Sequence, residues 1–121
     1  MFNLKKLFRS FYHAISGLQY LLYYEQNFRI HLLSAIIVLI LALVLSVSHL
    51  EILILLLTIS FVLMAEIVNT VIEKILDLLH PTYHEKVKII KDATAGIVLF
   101  AAMVSIIIAL FIFIPKFSVH I

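Results

Sequence analysis

Ile52-Leu53-Ile54-Leu55-Leu56-Leu57-Thr58-Ile59-Ser60-Phe61-Val62-Leu63-Met64 carries no charge, and it runs unbroken into Ala65-Glu66-Ile67-Val68-Asn69-Thr70-Val71-Ile72-Glu73-Lys74-Ile75-Leu76-Asp77-Leu78-Leu79. The first part is suited to hydrocarbon. In the second, apolar residues recur at helical spacing, so a single helix is predicted over residues 52–79. At 1.5 Å per residue such a helix is about 42 Å long, longer than a hydrocarbon layer of roughly 30 Å, and one end must protrude. Pro81 disfavours helical geometry at His80 and sets the stop.

Two further segments match this one. Residues 32–47 are uncharged, with only Ser34 and Ser46 polar, and predict a span over about 30–48. Residues 95–114 predict another over about 93–114, closed by Pro115. Ahead of the first span, Leu4, Leu7, Phe8, Phe11, Tyr12, Ile15, Leu18 and Leu22 interleave with Lys5, Lys6, Arg9, Ser10, His13 and Ser16. That spacing predicts an amphipathic helix over about 3–28 lying in the membrane interface. Gly17 is a candidate bend or close approach within it, and Tyr20, Tyr23 and Tyr24 suit headgroup level. A secretory signal peptide fits poorly, because the first apolar run starts far from the N-terminus, exceeds a usual signal core and follows a patterned helix.

The expected fold class is therefore all-α: an integral membrane protein with an interfacial helix and three transmembrane helices in a single domain, 1–121. Composition agrees, since 64% apolar and 13% charged residues leave too little polar surface to cover a soluble fold. Lys5, Lys6, Arg9 and Arg29 precede the first span, Lys74, Lys86, Lys88 and Lys91 lie between the second and third, and residues 48–51 contain no Lys or Arg. Only Lys116 falls elsewhere. The positive-inside rule then predicts a multi-pass protein of the cell (inner) membrane, N-terminus cytoplasmic and C-terminus outside.

Most of the acidic residues gather on the same side: Glu25, Glu66, Glu73, Asp77, Glu85 and Asp92, with only Glu51 apart. At about 100° per residue, Glu66, Asn69, Glu73 and Asp77 share an arc of roughly 80°. Glu66 follows the apolar run directly, where an ionised carboxylate is costly unless paired, hydrated or metal-bound. The plainer reading is a protonated or cation-paired glutamate that fixes packing, and Asn69 can act as interhelical glue. Glu73 and Asp77 read equally as a solvated face neutralised by Lys74. Aligned with Glu66, however, clustered carboxylates point to a hard divalent cation, and Mg²⁺ held by one or two carboxylates completes its shell with water and phosphate. Glu25 reads either as part of that set or as an ion pair with Arg29. Lys91-Asp92 reads as a snorkelling flank.

Several chemistries are excluded. With no cysteine there is no disulfide or thiolate site, and with glycine only at 17 and 96 there is no Walker A cradle. The six histidines form no HExxH arrangement and no Ser-His-Asp order can be defended. Phosphate binding must rest on metal and lysine.

The stretch 65–77, with a glutamate, an asparagine three on, a glutamate four further and an aspartate four beyond, resembles the signature of the prokaryotic diacylglycerol kinase and undecaprenol kinase family of small trimeric membrane lipid kinases. Gly17 through Glu25, Phe28, Arg29, Tyr83-His84 and Lys91-Asp92 extend the resemblance over nearly the whole chain. It implies that Glu66 is the general base toward a lipid hydroxyl, and that Glu25 and Glu73 hold Mg²⁺ bridging the ATP phosphates. Asn69 and Arg29 belong with the acceptor, and Asn69 would orient substrate or Glu66. Lys91 neutralises phosphate, Asp92 helps place the nucleotide, and His13, Tyr83 and His84 line its edge, with Asp77 and Gly17 in support. His13 stands where the best-studied diacylglycerol kinases have tyrosine, and Thr82 where an acidic residue usually precedes the Tyr-His pair. Residues 27–32 and the Pro81 turn look more like the undecaprenol kinase branch, so undecaprenol is favoured over diacylglycerol. The implied partners are ATP, the membrane lipid alcohol, the bilayer and further copies of the chain in a homotrimer, with no nucleic acid. Two rival readings remain: a cation- or proton-coupled transporter subunit using Glu66, and a non-catalytic scaffold binding a basic helix.

Overall fold

The computed structural model describes residues 1–120, with side chains described as far as Ser118. Four helices follow in order, α1 (Leu4–Tyr24), α2 (Gln26–Val44), α3 (His49–Leu79) and α4 (Glu85–His120), and the described residues contain no strand. Three of them, α2, α3 and the Glu85–Ser118 part of α4, are long and apolar enough to cross a membrane. α3, with 31 residues, is about 46 Å long.

The ends of α3 follow its sequence. Ser48 and Glu51 form a reciprocal capping box: Ser48 Oγ accepts from the Glu51 N–H at 3.2 Å and Glu51 Oε1 accepts from the Ser48 N–H at 3.0 Å. At the other end the helix stops at Leu79, the His80 N–H closing on Leu76 O at 2.8 Å ahead of Pro81.

Several boundaries differ from the sequence expectation, among them the start of α4, which opens at Glu85 where a span from about residue 93 was expected. The first helix does not continue to residue 28, because Glu25 is extended (φ −110°, ψ 107°) and divides α1 from α2. Arg29 supports the break, donating from Nη1 to Leu22 O and Tyr23 O at 3.1 and 2.8 Å and so capping carbonyls that α1 leaves open. The first span thus starts at Gln26, and it ends at Val44 in a Schellman turn. There the Val47 N–H donates to Ala42 O, the Ser46 N–H donates to Leu43 O, and Ser46 sits at φ 55°. No glycine marks that turn. α4 runs through Pro115 instead of stopping before it, because a proline removes its own N–H bond yet leaves the following turns able to form. Gly17 lies within unbroken α1 and marks no bend.

The packing seam has a seven-residue period. On α2 the buried residues are Phe28, Ala35 and Ala42; on α3 the matching series is Leu55, Val62 and Asn69. The two alanines let the backbones approach closely. Ala42, Leu45, Val47 and Leu55 join Ile112 and Phe113 of α4 in a core at the end of the bundle opposite Glu66. Lys116 and Glu51, the two charges set apart in the sequence, pair there at 3.3 Å. Only 17% of each spanning window is buried within the chain, so most of the apolar surface is left for lipid or neighbouring chains.

Candidate active site

Where the seam reaches residue 69 its character changes from apolar to polar. Glu66, Asn69 and Thr70 are all buried, and the Glu66 side chain is only 4% exposed. Glu73 lies two turns on from Glu66 and accepts from Asn69 Nδ2 at 3.3 Å. Asn69 Oδ1 is buried and has no hydrogen-bond partner, a costly arrangement that calls for a ligand or substrate donor.

Glu25 is the extended residue between α1 and α2, and it faces α3. Its carboxylate pairs with Lys74 Nζ at 3.2 Å, and that ammonium lies 5.2 Å from the Tyr20 ring centroid. No pair forms between Glu25 and Arg29 among the described residues, since the guanidinium is engaged on α1 carbonyls. Nor does Lys74 neutralise Glu73 or Asp77. Adjacent helix positions diverge by about 100°, which turns Lys74 toward the α1–α2 junction. Asp77, the last residue of the stripe, is bound instead by Lys91 of α4.

The remaining residues lie outside this cluster. Asp92 pairs with Lys88 on its own helix at 2.7 Å, and His84 Nδ1 accepts from the Lys86 N–H at 3.1 Å, capping α4. His13 and Tyr83 are exposed. Among the described residues no hydrogen bond or ion pair joins His13, Tyr83, His84 or Asp92 to Glu25, Glu66 or Glu73.

No group of three or more His, Asp or Glu among the described residues is gathered as a protein-only metal cage. The donors present fit a different kind of site. Glu73 lies on the Glu66 face of α3 beside Asn69, Glu25 sits across from α3 on Lys74, and the orphaned Asn69 Oδ1 is a further oxygen; such donors would suit Mg²⁺, because that ion takes one or two carboxylates and fills its shell with water and phosphate oxygens.

The sequence did not single out His31. Its Nε2 stands 3.8 Å from Glu66 Oε2, although the two residues are far apart in the chain. The only local signal was an imidazole inside an otherwise apolar run.

The amino-acid sequence matches one family over most of its length. The model of prokaryotic diacylglycerol kinase covers residues 12–113. The chain belongs to the prokaryotic diacylglycerol kinase family. An undecaprenol kinase of Bacillus subtilis (strain 168) is 39% identical over 114 residues, 94% of this chain and 93% of that protein. A diacylglycerol kinase of Synechocystis sp. is 37% identical over 100 residues, 82% of this chain but 57% of the relative's length. As a member of this family the chain is a lipid kinase, its three long apolar helices suit a multi-pass membrane protein, and a kinase implies ATP as substrate.

Proposed function

We propose that this kinase transfers the ATP γ-phosphoryl group to a membrane lipid alcohol, undecaprenol in preference to diacylglycerol, with Glu66 as general base and Mg²⁺ as cofactor. The observation that carries this reading is the burial of Glu66, whose side chain is only 4% exposed, on the α3 face that continues through the buried Asn69 to Glu73. A lipid hydroxyl at the membrane edge can meet that carboxylate without leaving the bilayer. Phosphoryl transfer asks the protein mainly for positioning and for cations at the developing charge. Glu25 and Glu73 would hold the metal, which neutralises charge on the transferring group. Lys91 would face nucleotide phosphate, with Asp92, His13, Tyr83 and His84 toward the nucleoside. Asn69 and Arg29 would order the acceptor end, and Asp77 would hold Lys91 in place.

The preference for undecaprenol is supported by the near full-length match to the undecaprenol kinase, against coverage of just over half of the diacylglycerol kinase. The unburied apolar surface of the spans supports a homotrimer with sites completed between neighbours, because one such chain hardly encloses ATP and a lipid together. We place α1 in the interface as an amphipathic helix, its basic side with the cytoplasmic leaflet, so that N-terminus and site are cytoplasmic and the C-terminus outside. Residues 1–121 act as one domain.

The test is phosphate transfer from radiolabelled ATP by purified protein offered undecaprenol and diacylglycerol side by side. A labelled undecaprenyl product in excess supports the proposal; label in diacylglycerol alone reverses the acceptor, and no lipid product overturns the reading.

A further inference from the structure

Building on the assignment of Glu66 as base, the geometry points to His31 as its proton-relay and positioning partner. His31 Nε2 lies 3.8 Å from Glu66 Oε2, too far for a direct bond in this state but within reach after a small side-chain rotation. Exposure differs between the two: 23% of the His31 side chain is accessible against 4% of Glu66. The imidazole also lines a groove of about 310 Å³ between α2, α3 and α4. Around it the groove offers Ile59, Val62 and Leu63 from α3 and Ala102, Ile106 and Ala109 from α4, none of which titrates. The titratable groups near the pair are Glu66 itself and, beyond it, Glu25 and Glu73. Arg29, on the same helix as His31, is held on α1 carbonyls, and Lys74 is held on Glu25.

This placement answers a problem that the base creates. In transfer the acceptor O–H bond breaks and its proton passes to the Glu66 carboxylate. The acceptor oxygen bonds to the γ-phosphorus, and the bond from that phosphorus to the bridging oxygen breaks, its electron pair remaining on ADP. Glu66 is then protonated and almost sealed from water. Neutral His31 accepts the proton at Nε2, restoring the carboxylate and leaving an imidazolium beside it, and the ring, which lies within two turns of the Gln26 start of α2, gives the proton up to water at that end of the bundle. A histidine suits the step because its two ring nitrogens let it take up a proton on one side and give one up on the other.

The experiment compares wild type with His31→Gln, Glu66→Gln and His31→Ala, the last with and without added imidazole. Each is read by kcat against pH, KM for the lipid alcohol, and binding of a fluorescent ATP analogue as a check on folding. For His31→Gln the relay predicts kcat lower by about 10- to 100-fold, loss of the pH limb in the histidine range, and unchanged nucleotide binding. Imidazole should raise kcat of His31→Ala in a concentration-dependent way. If Glu66→Gln is inactive while His31→Gln keeps the wild-type kcat and pH profile, the relay is overturned and the base stands. A lower kcat in His31→Gln with the pH limb retained and no imidazole rescue of His31→Ala also overturns it. Full turnover by Glu66→Gln removes the base assignment and the relay together.

Discussion

Lys74 Nζ lies 3.2 Å from Glu25 Oε1, joining the exposed side of α3 to the residue at which α1 gives way to α2. Glu25 owes its position to this contact and to the Arg29 cap beside it, because the break itself contains no glycine or proline. The Tyr20 ring, 5.2 Å from the ammonium, adds α1 to the same junction. One side chain thus sets the place of a carboxylate that the sequence puts far from Glu66.

Lys74→Ala should loosen this junction. Amide hydrogen exchange at residues 24–26 is expected to quicken while exchange in the outer half of α3 stays as in wild type, read by mass spectrometry of the detergent-solubilised protein. Unchanged protection at 24–26 would show that Arg29 alone holds the break.

Glu66 and Glu73 should separate kinetically. Glu66→Gln is expected to lower kcat by about 10²- to 10⁴-fold with nucleotide binding intact. Glu73→Ala is expected to raise KM for Mg·ATP and shift the Mg²⁺ requirement upward. Equal effects of both substitutions on nucleotide binding would remove the division of roles.

Asn69→Leu tests whether the buried asparagine serves function at the expense of stability. The wild-type residue leaves Oδ1 without a partner in the packing seam, which costs about 1–3 kcal/mol. Leucine is of similar size and leaves no such atom. The thermal midpoint of the variant should equal or exceed that of wild type, while turnover falls. A lower midpoint would mean that the hydrogen bond to Glu73 outweighs the orphaned oxygen.

Ser48→Ala removes the N-cap of α3 at the end of the bundle opposite Glu66. Destabilisation of about 1 kcal/mol is expected. kcat and KM should not change, since the cap touches no residue of the site, and a thermal melt paired with a transfer assay checks both.

The three spans, the stop at Pro81 and the stripe from Glu66 to Asp77 were legible because each depends on neighbours within a few turns: apolar run length, a residue that cannot continue a helix, and angular spacing. Less was visible at the helix ends. The Schellman turn at Ser46 lacks its usual glycine, and Pro115 is carried inside α4 where a stop was expected. The break at Glu25 is made by Arg29 reaching backward, a long-range contact without a local signature.

By itself the sequence determined that this chain has three helices long and apolar enough to cross a membrane and that Glu66, Asn69, Glu73 and Asp77 share one helix face, because periodicity and hydropathy are properties of consecutive residues. Tertiary structure decided which charges meet: Glu25 with Lys74, Asp77 with Lys91, and Glu66 with His31. Those pairings depend on how far one helix is rotated and shifted against another. A single sequence read along its length does not contain that rotation and shift.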